Sequence, residues 1–188
     1  MSAATIAESA LMTADEFLRL HGDECGVDLV KGHVVRDPMP GGEHGLYCGE
    51  AFSIIRDFVK PRGLGRVMTN DTYIYAGSNP DSVRGADVAY ISYKRLAKDQ
   101  PIPRGPFEIP FELVIEVRSP TDRMKAILNK IDDYLEAGVD VVVLLEPTTR
   151  SATVYRKDAE TQLTHDQELT LPDILPEFRV RVGQFFET

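Results

Sequence analysis

One stretch of the chain, residues 111–145, constrains the fold more than any other. It opens with a short apolar run over residues 111–117 that stops at a Ser-Pro pair. Residues 121–137 then have helical spacing, and a second apolar run covers residues 139–145. An apolar strand, a helix and another apolar strand in this order predict two parallel strands joined by a crossover helix.

The first of these strands carries a carboxylate, Glu116, near its end. A strand that is rich in Val, Leu and Ile almost throughout is usually buried on both faces. Burying a negative charge in that position is energetically unfavourable unless a partner neutralises it. A metal ion, a lysine or a structural arginine could be that partner, and its identity decides the function.

Length and composition indicate one globular domain. The chain has 188 residues, of which 43% are hydrophobic and 27% charged, so it is long enough to bury a core of its own. We expect a disordered N-terminus over residues 1–12 and a single domain over residues 13–188.

The two cysteines form no zinc or disulfide pattern, which predicts a reducing, cytoplasmic compartment. No apolar run is long enough for a membrane helix, and no signal peptide is evident.

The net charge of -9 argues against a protein that coats nucleic acid, because such binding depends largely on neutralising phosphates. It does not exclude a local basic groove beside an acidic metal site.

The remaining segments predict a mixed α/β fold. Thr13 and Glu16 form the pattern of a capping box before a short helix, and Lys31-Gly32 lies in the turn of a predicted N-terminal β-hairpin. The other predicted elements are a helix over residues 43–59, strands within residues 65–76, 84–92 and 152–156, a weak strand within 158–171, and a final edge segment over 178–182.

Several common catalytic motifs are absent from the sequence. It has no Gly-x-Ser-x-Gly nucleophile elbow, no phosphate-binding Gly-x-x-x-x-Gly-Lys loop and no dinucleotide-binding glycine pattern, so no organic cofactor is expected. Neither cysteine has a recognisable catalytic setting. The histidines are scattered along the chain, which disfavours a zinc site built on histidines.

Carboxylates at strand ends are the remaining candidates. Asp87 begins one predicted strand and Glu116 ends another, and two such groups repel unless a cation lies between them. Oxygen ligands suit Mg²⁺ or Mn²⁺. Arg118 points to the same strand face as Glu116, and Lys130 lies on the following helix. The alternatives are that Asp87 is a turn residue and that Glu116 forms a buried ion pair with Arg118 or Lys130.

At these positions the sequence resembles the Uma2 family (DUF820). The resemblance lies in RGADVAY at residues 84–90, ELVIEVRSPTDR at 112–123, Lys130 with Tyr134 and Gly138, and residues 146–147, 154–156 and 175–178, together with the hairpin around Gly32 and the Glu43-His44 pair. This family is regarded as a branch of the PD-(D/E)XK nucleases. The resemblance implies a restriction-endonuclease-like core, a mixed curved sheet flanked by helices, a divalent metal and phosphodiester hydrolysis.

The resemblance also implies roles for individual residues. Asp87 matches the aspartate of the family's "PD", Glu116 matches the glutamate of "EV-x-SP", and Lys130 matches a lysine on the helix. Glu50 or Glu43 matches an extra carboxylate on the first helix of many such nucleases. Two positions depart from the wider pattern: Ala86 replaces a proline, and Arg118 replaces the strand lysine. Arginine cannot act as a base, although it can clamp a phosphate.

These observations predict a metal-dependent endonuclease that acts on DNA. Asp87, Glu116 and Glu50 would hold Mg²⁺ or Mn²⁺, Lys130 would position or deprotonate the attacking water, and Arg118 would support a phosphate. A duplex cutter would need a homodimer, because one site cuts one strand. The alternatives are a catalytically silent nucleic-acid-binding or protein-assembly module on the same fold, and a hydrolase of a small phosphorylated molecule.

Overall fold

The computed structural model of the protein describes residues 11–38 and 41–187. The helices are α1 (Ala14–His21), α2 (Gly42–Val59), α3 (Met124–Glu136) and a 3₁₀ helix (Val182–Phe186). The strands are β1 (Val27–Val30), β2 (His33–Arg36), β3 (Gly65–Gly77), β4 (Ser82–Ser92), β5 (Leu113–Val117), β6 (Val141–Glu146), β7 (Ser151–Arg156), β8 (Ala159–Leu163), β9 (Glu168–Leu171) and β10 (Leu175–Arg181). In the described ranges no helix has both the length and the apolar character that a membrane crossing requires.

Eight strands form one mixed sheet. Seven follow each other in the order β2-β1-β4-β5-β6-β7-β8, and β3 also pairs with β4. Strands β5 and β6 run parallel, with Leu113 opposite Val141 and Val117 opposite Leu145, and α3 is the crossover between them. The predicted parallel unit and the N-terminal hairpin of β1 and β2 are therefore confirmed.

The sheet has a hydrophobic cluster on each face. On one face, Ile55 of α2 and Phe178 of β10 belong to the same cluster as Ile115 and Val143. On the other face, Ile131 of α3 joins Val114 and Val142 in a second cluster. Alternate residues of β5 thus face opposite clusters, and all five of its residues are buried. Burial of β5 on both faces requires a layer of structure on each side of the sheet. The predicted mixed sheet flanked by helices is therefore confirmed.

The N-terminal segment closes one edge of the sheet. The backbone N–H of Met12 donates to the carbonyl of Gly32 at 2.9 Å. Thr13 and Glu16 form the predicted capping box at the start of α1, and Phe17 of α1 packs in a third cluster with Leu29. Residues 1–10 of the predicted disordered terminus lie outside the described residues.

The C-terminal region is more regular than the sequence predicted. The weak strand expected within residues 158–171 is two strands, β8 and β9. The expected final segment, residues 178–182, is mostly part of β10, which pairs with β9 in a separate two-stranded sheet. Only alternate residues of β9 are buried. Such a short alternating pattern predicts a strand only weakly, because its stability depends on pairing with a partner strand.

We predict that Ile115→Ala lowers the free energy of unfolding by about 2–5 kcal/mol, because the substitution leaves a cavity in a packed core. Ile115 is 0% exposed. The matched control is Ile102→Ala, since Ile102 is 45% exposed and its truncation should change stability by about 0.5 kcal/mol or less. Urea unfolding followed by circular dichroism measures both values, and equal losses would contradict the assignment of Ile115 to the core.

Candidate active site

The candidate site lies where β4 and β5 separate. Their pairing runs from Tyr90 and Leu113 to Val88 and Ile115. Beyond that point the backbone N–H of Val117 donates to Oδ2 of Asp87 at 2.8 Å instead. The Asp87 side chain thus accepts the hydrogen bond that a backbone carbonyl of β4 would accept if the two strands stayed paired. Glu116 lies near the end of β5, as predicted. The prediction that Asp87 begins a strand is wrong, because β4 starts at Ser82 and Asp87 lies in its middle. Both residues lie at this fork.

Glu116 is paired with α3. The Lys130 ammonium donates to Oε2 of Glu116 at 2.8 Å, and the Tyr134 hydroxyl lies 3.0 Å from Oε1. Lys130 and Tyr134 stand one helical turn apart and so share a face of α3. Of the two ion pairs considered from sequence, Glu116 with Lys130 is the one the structure contains.

A buried arginine anchors α3 in this position. Arg84 of β4 donates to Oδ2 of Asp133 at 2.6 Å and to Oδ2 of Asp28 at 3.2 Å. Asp133 precedes Tyr134 on α3, and Asp28 belongs to β1 in the hairpin. The guanidinium therefore links three elements, and two carboxylates offset its buried charge.

Arg118 has a different partner. Its guanidinium lies 3.1 Å from each carboxylate oxygen of Glu146, at the end of β6. This interaction holds the chain that leaves β5 against the chain that leaves β6. Arg118 also lines a small cavity of about 70 Å³ together with Glu43 and His44.

Helix α2 contributes a histidine to the fork. Nε2 of His44 lies 3.4 Å from Oδ2 of Asp87, and Sγ of Cys48 lies 3.5 Å from Nδ1 of His44. Glu43 is exposed and accepts a hydrogen bond from Tyr47. Glu50 is half-buried on the same helix, and in the described part of the chain it has no salt bridge with a basic group of the site.

Sequence reasoning missed His44 and Cys48 as members of this site. Their spacing of one helical turn was the available signal, because it places both side chains on one face of α2. Nothing local to residues 43–48 indicates that Asp87, far along the chain, lies opposite that face.

Comparison with known proteins identifies the family. The model of the Uma2 family, described as "Putative restriction endonuclease", matches residues 14–183. The chain belongs to the Uma2 family. A solved structure from Anabaena variabilis ATCC 29413, titled as a "putative nuclease belonging to DUF820", is similar with a TM-score of 0.81 and 23% identity, covering 93% of this chain and 97% of that chain. No curated protein matches the chain.

These findings confirm the predicted fold class. The Uma2 chain has the mixed curved sheet with flanking helices, and its fold matches that of the DUF820 structure. At this level of identity the likeness concerns the fold alone.

The carboxylates of this Uma2 site have opposite pKa shifts. Burial raises the pKa of Asp87, but the hydrogen bond with His44, the positive charge of Lys130 and the N–H of Val117 outweigh it and lower that pKa below its usual value. Burial raises the pKa of Glu116 to about 8, despite the nearby charge of Lys130, and the negative charge of Asp87 contributes.

The two basic groups are stabilised in their charged forms. The hydrogen bond to Asp87 raises the pKa of His44, and burial only partly opposes this rise. Burial would lower the pKa of Lys130, but the adjacent charge of Glu116 raises it well above its usual value. The site therefore holds an ion pair between His44 and Asp87 beside a buried pair of Lys130 and Glu116.

The donor set fits a hard divalent cation. Two carboxylates lie close enough for the charge of Asp87 to raise the pKa of Glu116, and Glu116 is 7% exposed. A divalent cation favours the ionised form of both carboxylates, and oxygen atoms are the ligands that Mg²⁺ and Mn²⁺ prefer. Asp87 and Glu116 are thus suitable ligands.

A larger cavity opens beside Glu116 and Lys130. Its volume is about 460 Å³, and Arg36, Arg84 and Arg123 line it together with Asp122. The lining holds four basic side chains, these three arginines and Lys130, and three acidic ones, Asp37, Asp122 and Glu116. Arg36 and Arg84 already pair with Glu24 and with Asp28 and Asp133. Arg123 is therefore the arginine best placed to meet an anionic ligand on this side.

We predict that Glu116→Gln makes the metal-free protein more stable relative to wild type as the pH rises. The unfolded glutamate ionises near its ordinary pKa of 4.5, whereas the folded one keeps its proton up to a pH of about 8. The folded state therefore binds more protons between these values, and wild-type stability falls as the pH rises through this window. Glutamine removes that loss because it has no ionised form.

The measurement is urea unfolding in EDTA at several pH values from 5 to 8. The exposed Glu108 supplies the matched control, Glu108→Gln, whose stability curve should run parallel to wild type. A constant difference between Glu116→Gln and wild type across the window would contradict the raised pKa.

Proposed function

We propose that the chain is a metal-dependent endonuclease that hydrolyses DNA phosphodiester bonds at Asp87, Glu116 and Lys130. The observation that supports this most strongly is the hydrogen bond from Lys130 of α3 to Glu116 of β5 at 2.8 Å, beside an Asp87 side chain of β4 whose negative charge acts on both groups. Membership of a family described as "Putative restriction endonuclease" supports the same reaction class.

In this proposal Asp87 and Glu116 hold Mg²⁺ or Mn²⁺, and Glu50 is the candidate for a further carboxylate ligand. A divalent cation at this position supplies an activated water and offsets charge on the phosphate. The hydrogen bond from Val117 fixes the orientation of Asp87. Such support of a ligand by a neighbouring group is typical of functional metal sites.

Lys130 acts as a positioning and charge-stabilising group. Its ammonium donates to Glu116 at 2.8 Å, and in this proposal Lys130 positions or deprotonates the attacking water. Once Glu116 binds the cation, the Lys130 ammonium is available to a phosphate oxygen or to the attacking water. Arg118, which Glu146 holds at the chain exit from β5, supports the phosphate from the other side of the fork.

The substrate proposal follows from the cavity beside Glu116. Arg36 and Arg123 are exposed at its rim, where guanidinium groups can contact successive phosphates of a strand. One active site cuts one strand, so we propose that double-strand cleavage requires a homodimer, whereas a monomer only nicks. A reducing, cytoplasmic compartment agrees with the two free cysteines.

One observation favours a second candidate function. Both oxygens of the Glu116 carboxyl group already have protein partners, one Lys130 and the other Tyr134. A site satisfied in this way is compatible with a catalytically silent module that binds nucleic acid or another protein. A hydrolase of small phosphorylated molecules is the third candidate.

We predict that the purified protein nicks supercoiled plasmid with Mg²⁺ or Mn²⁺ and that EDTA abolishes the reaction. Glu116→Gln and Lys130→Met should each lower the rate by about 100-fold or more, because each removes a group that acts on the reacting phosphate or its water. Gel electrophoresis with single-stranded DNA and a model phosphodiester as further substrates measures the rates.

The matched control is Lys125→Met, since Lys125 is an exposed lysine on the same helix. Thermal unfolding checks that each variant folds. Cleavage that survives Glu116→Gln would contradict the assigned site. Turnover of the model phosphodiester without cleavage of either DNA would favour the third candidate function.

A separate prediction concerns metal binding alone. Mg²⁺ should raise the melting temperature of the wild-type protein, since a ligand that binds only the folded state stabilises it. Asp87→Asn should abolish this increase, because it removes a ligand charge, whereas Asp122→Asn, in the wall of the larger cavity, should retain it. An unchanged wild-type melting temperature at high Mg²⁺ concentration would favour the silent module.

A further inference from the structure

Three donor atoms of different chemistry converge on the α2 side of the fork. They are an imidazole nitrogen of His44, the sulfur of Cys48 and a carboxylate oxygen of Asp87, and all lie within 4.8 Å of one another. His44 and Cys48 are fixed to each other by one turn of α2, while Asp87 is fixed by its hydrogen bond to Val117. Two rigid elements therefore hold the three groups together.

Two of the three distances between these atoms are close to those of a tetrahedral zinc site, and the third, between Cys48 and Asp87, is within 4.8 Å. With Zn–N near 2.0 Å and Zn–S near 2.3 Å, tetrahedral angles place neighbouring ligand atoms about 3.3–3.6 Å apart. Nε2 of His44 lies 3.4 Å from Oδ2 of Asp87 and 3.8 Å from Sγ of Cys48. Shifts of a few tenths of an ångström in these two spacings reach the expected geometry.

The donors also differ from the set that suits Mg²⁺. A thiolate and an imidazole are soft and borderline ligands, which Zn²⁺ prefers and Mg²⁺ does not. The side chains of His44 and Asp87 are 14% and 12% exposed, so both are partly accessible to solvent. Three protein ligands leave one position of a tetrahedron open, as in zinc sites that accept an exogenous ligand.

We propose that His44, Cys48 and Asp87 form a Zn²⁺-binding site. Binding replaces the S–H proton of Cys48 and the proton that His44 holds towards Asp87, and both protons leave to solvent. The ligands are then the Cys48 thiolate, one nitrogen of the neutral imidazole and one oxygen of Asp87. No oxidant or reductant takes part, since Zn²⁺ has no redox chemistry.

Zinc binding at this site would also affect the proposed nuclease. This effect on cleavage rests on the proposed function, whereas the zinc site itself does not. Asp87 belongs to both donor sets, one with Glu116 for a hard cation and one with His44 and Cys48 for zinc. A zinc ion on the α2 side therefore withdraws Asp87 from the carboxylate pair. We expect Zn²⁺ to inhibit Mg²⁺-dependent cleavage, with Cys48 as the residue that distinguishes the two ions.

The test uses Co²⁺ as a spectroscopic probe for zinc, with the full-length, reduced, metal-free protein and no Mg²⁺. Wild type should develop a near-ultraviolet band from thiolate-to-cobalt charge transfer and the visible bands of a tetrahedral site, and Zn²⁺ should displace both at one equivalent. Cys48→Ser should lose the near-ultraviolet band and bind Zn²⁺ about 100-fold more weakly, because a hydroxyl is a poor ligand for this ion.

The chain supplies its own matched control, because Cys25 is an exposed cysteine remote in sequence from α2. Cys25→Ser should retain the cobalt spectrum and the affinity for Zn²⁺. His44→Gln is the second ligand variant, and circular dichroism checks that each variant folds. The proposal is wrong if wild type shows no charge-transfer band, or if the band depends on Cys25 and not on Cys48.

Cleavage assays then test the consequence separately. Added Zn²⁺ should reduce Mg²⁺-dependent nicking by wild type and by Cys25→Ser, whereas Cys48→Ser should keep a larger fraction of its own activity. The cobalt spectrum requires no cleavage, so a failure of the nuclease proposal leaves a clear result for the metal site. A normal spectrum with zinc-insensitive cleavage would overturn the shared use of Asp87.

Discussion

The structure of the site depends on the placement of a negative charge inside the sheet. Glu116 belongs to a strand whose residues are all buried, and a carboxylate there costs several kcal/mol unless it is neutralised. Lys130 and Tyr134 bond to that group from α3, and burial raises its pKa to about 8. Together with the buried apolar residues Ile127 and Ile131, these bonds fix which face of α3 packs on the sheet.

The same constraint explains the buried network around Arg84. Its two carboxylate partners, Asp28 and Asp133, tie the N-terminal hairpin and α3 to β4. Without that link the position of Lys130 would depend on its pairing with Glu116 and on the apolar packing of α3 through Ile131. A group of buried ion pairs thus substitutes for part of the apolar packing beside the site and pre-positions the side chains that the proposed chemistry needs.

The divergence of β4 from β5 brings the two halves of the site together. Where the ladder stops, Asp87 accepts the freed N–H of Val117 and faces His44 across the opening. We propose that Asp87 takes part in two donor sets, one of oxygens with Glu116 and one with the nitrogen and sulfur atoms of His44 and Cys48 on α2. The order of metal preference then follows from ligand type: oxygen pairs favour Mg²⁺ or Mn²⁺, while thiolate and imidazole favour Zn²⁺.

The sequence by itself determined the central unit, because its signals are local. The apolar runs of β5 and β6, the capping box of α1 and the turn at Lys31-Gly32 each predict structure from neighbouring residues, and the structure contains them. The sequence also singled out Asp87, Glu116 and Lys130, through the cost of a charge in an apolar strand and through the resemblance to Uma2 proteins.

The tertiary structure alone decided three features of the site. They are the pairing of Glu116 with Lys130, the pairing of Arg118 with Glu146, and the position of His44 and Cys48 opposite Asp87. These features depend on contacts between residues distant in sequence, and their geometry is set by how α2 and α3 pack on the sheet, which no local pattern specifies.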